Sequence, residues 1–366
     1  MEIHFVKECE LHKYQNVSVH GKTVMSDQFI YIVTVCSALA VFGLLGNIRA
    51  IYLILQKVRK RGYCKRRTSA AKPAFTQRTV YIYTVTLNIV HTITLVGIPG
   101  VIFDVANRDY PLGGISCKVQ WSLETINKIL SNFLLLTMSA HCYIKVCQTG
   151  WYRIRFLSQR LSIWIVLLIN FMIALIFTTP VFISTDVYAI LYPVNETNWI
   201  LLTHKCLFNP SPNWMKATVL YMFIAAYAIP TALQFFYYGS ILRFVRRTYK
   251  QSTVRKNYWP LKAATKNCII QLGIYLLCWT PFWTVQLFSS FAPNLDSANK
   301  NLSLFIYYTT LLLPYLYAAT NATVNLIVNK ANGTSQGARA ATSGAIGADL
   351  KQVQPKGSPV NSVATI

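Results

Sequence analysis

The 366-residue chain is 54% hydrophobic and 13% charged, with 35 Lys and Arg against 11 Asp and Glu and a formal net charge of +24. That apolar excess, gathered into blocks long enough to cross a bilayer, excludes an ordinary soluble globular domain. The basic surplus does not indicate a nucleic-acid partner, because no aromatic residues interleave with it as a binding groove requires.

The blocks are Phe29 to Leu55, Thr79 to Phe103, Val119 to Val146, Leu161 to Ser184, Ala217 to Leu242, Asn267 to Phe291 and Leu302 to Val328. Their lengths predict seven membrane-spanning helices in an all-α bundle. Basic residues gather between the first and second blocks (Lys57 to Arg78), between the fifth and sixth (Arg243 to Lys266), and after the third and seventh. The acids Glu2, Glu8, Glu10, Asp27, Asp104, Asp109, Asp186, Glu196 and Asp296 fall in the alternate connections. Positive charge in short loops stays cytoplasmic, so an outer amino terminus and an inner carboxyl terminus are expected, with the bilayer as a partner. The sequons at Asn16, Asn195 and Asn301 then lie outside and are candidate glycosylation sites, whereas those at Asn321 and Asn332 do not. No apolar signal core precedes the first block, which is expected to act as the insertion signal.

Three regions are expected: residues 1–27 as an extracellular segment containing Cys9, residues 28–329 as the bundle, and residues 330–366 as a disordered cytoplasmic tail rich in Gly, Ala, Ser and Thr. The first span carries Gly46 and Asn47, whose amide must find partners on other helices, and Arg49, whose expected role is to snorkel toward the inner head groups. In the second span His91 is either a functional imidazole or one satisfied by a neighbour, and Pro99 follows eight residues later. A turn from Tyr110 leads to Cys117. The stretch from Cys117 to Cys147 would reach roughly 46 Å as a helix, long enough to cross at a steep tilt and touch most of its neighbours. Within it Glu124 and Lys128 stand one turn apart, in the order that favours an internal ion pair.

Between the fourth and fifth blocks, Tyr188 to Tyr192 and Trp199 to Thr203 flank a turn and predict a hairpin lid that holds Cys206. Two outer cysteines are commonly bridged, which leaves Cys9 free or redox-active. The fifth span carries Pro230 and Tyr238. The sixth carries Trp279, Pro281, Phe282 and Trp283, where the proline bends the rod and turns the aromatics toward the axis. The seventh carries Tyr315 and a polar stripe of Asn321, Asn325 and Asn329.

Gly46-Asn47, Cys117, Cys206, Pro230, Tyr238 and above all Cys278-Trp279-Thr280-Pro281 make the chain similar to rhodopsin-like G-protein-coupled receptors, and within them to peptide receptors, over roughly residues 28 to 329. The resemblance implies a Cys117–Cys206 disulfide and a pocket open to the outside between the third, fifth, sixth and seventh spans. It also implies a ligand set of Gln120, Glu124, Lys128, Trp279, Phe282, Trp283, Gln286 and Tyr315, binding an extracellular peptide or small cationic ligand. Glu124 matches the position at which amine and several peptide receptors hold a carboxylate against a ligand cation.

Transmission residues follow by the same resemblance: Asn47, His91, Ser131, His141, Cys142, Tyr143, Pro230, Tyr238, Trp279, Pro281, Asn321 and Asn325. The departures fall among them. His141-Cys142-Tyr143 stands where the family has Asp-Arg-Tyr, His91 replaces an aspartate, and Asn325 to Asn329 replaces Asn-Pro-x-x-Tyr. Coupling to a heterotrimeric G protein is therefore expected to be weakened. A receptor that binds without signalling is the first alternative, and a transporter using His91, Glu124 and Lys128 as an ion path is the second. No enzyme, metal or cofactor chemistry is expected, since no catalytic motif is present.

Overall fold

The computed structural model describes residues 4–7, 10, 17–19, 27–65, 74–106, 110–147, 160–193, 199–249, 259–292, 305–306, 309–324 and 326–327. Its helices are α1 (Asp27–Lys65), α2 (Ala74–Val96), α3 (Ile98–Ala106), α4 (Gly113–Cys147) and α5 (Arg160–Ser184). They continue with α6 (Pro212–Met222), α7 (Ile229–Tyr249), α8 (Trp259–Phe291) and α9 (residues 309–324). A six-residue π-helical stretch, Phe223–Ala228, joins α6 to α7 into one rod, and only Gly97 separates α2 from α3. These are the seven expected rods. Four of them, Ile30–Arg59, Thr79–Asp104, Ser162–Ser184 and Pro212–Phe244, are long and apolar enough by composition alone to cross a membrane.

The second rod breaks where its chemistry requires. Gly97 turns the chain with its N–H donated to the Thr94 carbonyl at 3.0 Å, and Pro99 falls in the first turn of α3, where a missing N–H has no helical acceptor to disappoint. Helix α4 packs against α2, α5, α7 and α8, so it occupies the middle of the bundle. The main core, with Leu87, Leu134, Met138, Tyr275, Trp279 and Tyr317, is wrapped around it. On the other flank α1 approaches α2 and α9 closely at Gly43, where a Cβ would come within 2.7 Å of Leu95 and 2.9 Å of Ala319. Large apolar side chains such as Phe42, Ile176 and Leu277 point away from the bundle. In a membrane-spanning helix that outward face meets lipid.

One end of the bundle carries a four-stranded sheet in the order β1-β3-β4-β2, built from β1 (His4–Lys7), β2 (Val17–Val19), β3 (Thr185–Pro193) and β4 (Trp199–Phe208). β3 and β4 form the expected hairpin, longer than its sequence signal, with one irregularity between Ile190 and Leu191. The two amino-terminal strands are an addition to the expected polar segment: β1 pairs antiparallel with β3, and β2 pairs parallel with β4. Thr185, Val187, Ala189 and Leu191 are buried at the strand's period of two, and Tyr188 on the opposite face is buried as well. Cys117 and Cys206 are bridged, with Cα atoms 5.5 Å apart, tying β4 to the start of α4. Cys9, the asparagines of the three sequons expected outside, Asn325, Asn329 and the tail from residue 330 lie outside the described residues.

Candidate functional site

The sheet is held down by polar contacts as well as by the disulfide. Lys205 donates to the Asp104 backbone carbonyl, the Cys206 N–H donates to Asp104 Oδ1 at 3.3 Å, and Lys118 pairs with Asp186 at 3.4 Å. The Tyr188 hydroxyl donates to the Asn209 carbonyl at 3.3 Å. Burial, and then the nearby Asp186, pushes that phenol up from its ordinary value, so it remains a donor at neutral pH. Beneath this roof Tyr110, Cys117, Val187 and Cys206 pack with Trp121 into a small cluster above the site.

Inside the bundle Tyr315 on α9 donates its hydroxyl to Glu124 Oε1 at 2.5 Å, joining the seventh rod to the third. The expected contact ion pair between Glu124 and Lys128 does not form. Lys128 instead places Nζ 4.9 Å from the centre of the Phe282 ring on α8. Tyr315, arriving from another helix, takes the carboxylate, while an aromatic face offers the ammonium a favourable seat inside an apolar wall. Gln120 sits one turn before Glu124 in a space that exists because residue 100 is glycine: a Cβ there would overlap the Gln120 amide.

The aromatic wall is continuous. Phe282 meets Trp279 edge-on at 5.6 Å and Trp283 at 5.4 Å, and Trp279 stacks on Tyr275 at 5.6 Å. Tyr275 meets Tyr317 at 5.4 Å, and Tyr317 meets His91 at 5.1 Å. A path of rings therefore runs from the Lys128 level to the buried imidazole. His91 Nε2 lies 3.2 Å from Ser131 Oγ, which donates to Asn127 Oδ1 at 3.1 Å. The indole N–H groups of Trp279 and Trp283 and the Tyr317 hydroxyl are buried with no hydrogen-bond partner.

A charged, aromatic-walled site inside seven rods and under a disulfide-tied hairpin narrows the family, and comparison with known proteins decides it. Residues 68–325 match the 7 transmembrane receptor (rhodopsin family). The chain is a member of that family. It is a receptor-type, multi-pass protein of the plasma membrane. It is 29% identical to a probable G-protein coupled receptor of Caenorhabditis elegans over 70% of this chain and 58% of that protein. Somatostatin receptor type 4 of Rattus norvegicus is 24% identical over 73% of this chain and 63% of its own length. Neuropeptide receptor 18 of Caenorhabditis elegans is 24% identical over 80% and 63% respectively. The matched region thus spans about three fifths of each of these relatives.

The rest of the receptor's expected machinery is distributed as follows. Asn47 donates to the Gly43 carbonyl on its own helix at 2.8 Å and to the Ala318 carbonyl on α9 at 2.9 Å. His91 thus meets Ser131, and Ser131 meets Asn127, while the Asn47 amide donates to backbone. Asn321 is buried. Gln286 is half-buried on α8, and its side chain is not hydrogen-bonded to Glu124 or Lys128. At the end opposite the sheet, His141 Nε2 lies 2.9 Å from the Tyr83 hydroxyl on α2. Cys142 and Tyr238 are fully packed, and Tyr143 lies 5.3 Å from Tyr237.

Pro230 has a partner that its own helix does not provide. It has no N–H for the Ala226 carbonyl four residues back, and Asn132 on α4 donates Nδ2 to that oxygen at 2.8 Å. Gln234 Nε2 in turn donates to Asn132 Oδ1 at 2.6 Å. Neither Asn132 nor Gln234 stood out in the sequence reading, although both are amides within apolar spans, a recognised signal of interhelical hydrogen bonding. Tyr83, the partner of His141, carries no comparable local signal.

Proposed function

We propose that this chain is a cell-surface receptor for an extracellular peptide, with the sheet end outside and the Cys142 end facing the cytoplasm. One observation carries the reading. Glu124, Tyr315, Lys128 and the aromatic wall around Phe282 converge inside the bundle directly beneath a hairpin tied to α4 by the Cys117–Cys206 bridge. Peptide binding agrees with the names of two relatives, a somatostatin receptor and a neuropeptide receptor. Gln120, Glu124, Lys128, Trp279, Phe282, Trp283, Gln286 and Tyr315 form the proposed ligand set. The ring path from Phe282 to His91 is the proposed route from ligand to the cytoplasmic half.

Output is the weaker half of the device. Cys142 is short, uncharged at neutral pH and buried, so it cannot reach toward a G protein as a planar cation would. His141 is engaged with Tyr83 and does not supply a carboxylate. Agonist-driven nucleotide exchange is therefore low, and the native chain approaches a binding-only receptor. Membership of a receptor family weighs against the transport alternative.

The test is the purified chain in lipid nanodiscs with G protein and a panel of neuropeptides, native against His141→Asp with Cys142→Arg. The expected result is saturable peptide binding by both proteins and exchange raised by the double substitution. Robust exchange by the native protein, unimproved by that substitution, overturns the weakened-coupling claim. Absence of any saturable peptide binding overturns the peptide-receptor claim.

A further inference from the structure

The site holds an imbalance of donors over acceptors. Lys128 carries an ammonium group with no carboxylate at ion-pair distance, because Tyr315 and not Lys128 meets Glu124. It rests on Phe282, and the two indoles that flank that ring, Trp279 at 0% and Trp283 at 6% relative exposure, hold buried N–H groups with no acceptor. Tyr317, two rings further along the same path, has a buried hydroxyl in the same condition. Buried donors without acceptors are uncommon in folded proteins, and each carries a desolvation cost that a bound acceptor removes. Glu124, one turn away, still attracts this ammonium without touching it, and an ammonium seated on an aromatic face retains its capacity for a charge-assisted hydrogen bond.

We infer that the Lys128 side of the site receives an anionic, acceptor-rich group of the ligand, a carboxylate, and that Lys128 is a specificity-determining residue. Glu124, capped by Tyr315, lies one turn nearer the sheet, so the site reads an anion deeper than its own acid. A peptide brings such a carboxylate in two ways, as its free carboxyl terminus or as an Asp or Glu side chain. The proposal rests on the peptide-receptor reading above, and the following experiment separates the two.

The probes are hexapeptide libraries ending in Phe or Trp, made as matched free acids and amides, each with and without one internal Asp or Glu. Full-length chain in nanodiscs is incubated with each pair, and retained peptides are quantified by mass spectrometry. The native chain is compared with Lys128→Arg, which keeps the cation, and Lys128→Met, which keeps the stem. The expected result is retention of the acid over the amide by at least about tenfold for the native chain and the Arg variant, equivalent to about 1.4 kcal/mol, falling to near parity in the Met variant. A preference that follows the internal acid and not the terminus identifies a side-chain carboxylate as the source and also supports the proposal. Equal retention of acids and amides by the native chain, with no preference for the internal acid either, overturns it, whether or not the Met variant folds. A preference that survives Lys128→Met in a folded protein overturns it as well. Failure of the native chain to retain any peptide defeats the peptide reading itself.

Discussion

Replacing Asn132 with Ala removes the amide that serves the Ala226 carbonyl at 2.8 Å and the oxygen that accepts from Gln234 at 2.6 Å. Both orphaned groups lie at buried positions, since Asn132 and Gln234 have 0% relative exposure and Ala226 has 2%. Interhelical hydrogen bonds within membranes average about 0.6 kcal/mol and reach about 1.7, so losing two well-formed ones costs roughly 1–3 kcal/mol. At roughly 2–4 °C per kcal/mol, the melting temperature in nanodiscs falls by about 2–12 °C. The cause is tested by a second background. In Pro230→Ala the backbone regains an N–H four residues after Ala226, so that carbonyl no longer depends on α4. Asn132→Ala should then cost about 1 kcal/mol less in the Pro230→Ala background than in the native one, a coupling measurable by a double-mutant cycle. Equal losses in both backgrounds would show that the Ala226 carbonyl does not depend on Asn132, and the capping argument fails.

Removal of the Cys117–Cys206 bridge by Ser at both positions is expected to cost about 2–4 kcal/mol and most surface expression, read by thermal melting and cell-surface labelling. Two free thiols in a non-reducing peptide map of the native protein would contradict the bridge. Glu124→Gln should weaken binding of cationic peptides by about tenfold, and Tyr315→Phe, which removes the donor to Glu124, should change that affinity by less. Unchanged affinity in a normally expressed Glu124→Gln protein removes the carboxylate from the ligand set. Sodium should not regulate agonist affinity, because His91, bound to Ser131, replaces the family's aspartate with a group that offers no negative charge. A sodium-dependent shift at constant ionic strength counts against this.

The rods were readable because their signal is bulk hydropathy, which needs no knowledge of neighbours. The central position of α4 was readable for a related reason: a helix of that length must tilt, and a tilted helix meets more partners. The hairpin from Thr185 to Phe208 was also visible, since β-branched and aromatic residues flank a polar turn. Contacts between elements were legible only where a local rule happened to govern them. The spacing of Glu124 and Lys128 pointed to a pair on one helix face, but Tyr315, far along the chain, competes for the carboxylate at shorter range. Asn132 could have been found by asking which group replaces the N–H that Pro230 lacks. The strands His4–Lys7 and Val17–Val19 are too short to show a period, and their partners were out of reach of any window-based reading.

Those same two strands set an order of assembly. They precede the bundle in the chain, yet β1 pairs with residues 188–191 and β2 with residues 199–201, so neither has a partner until α5 and the hairpin have been synthesised. Contacts so distant in sequence require a large loop to close before they are rewarded, and such contacts form late. These two edge strands are thus made before the bundle and dock after it. A chain shortened after the fifth rod would still contain every strand of the sheet, whereas one ending before Thr185 would leave both amino-terminal strands without a template.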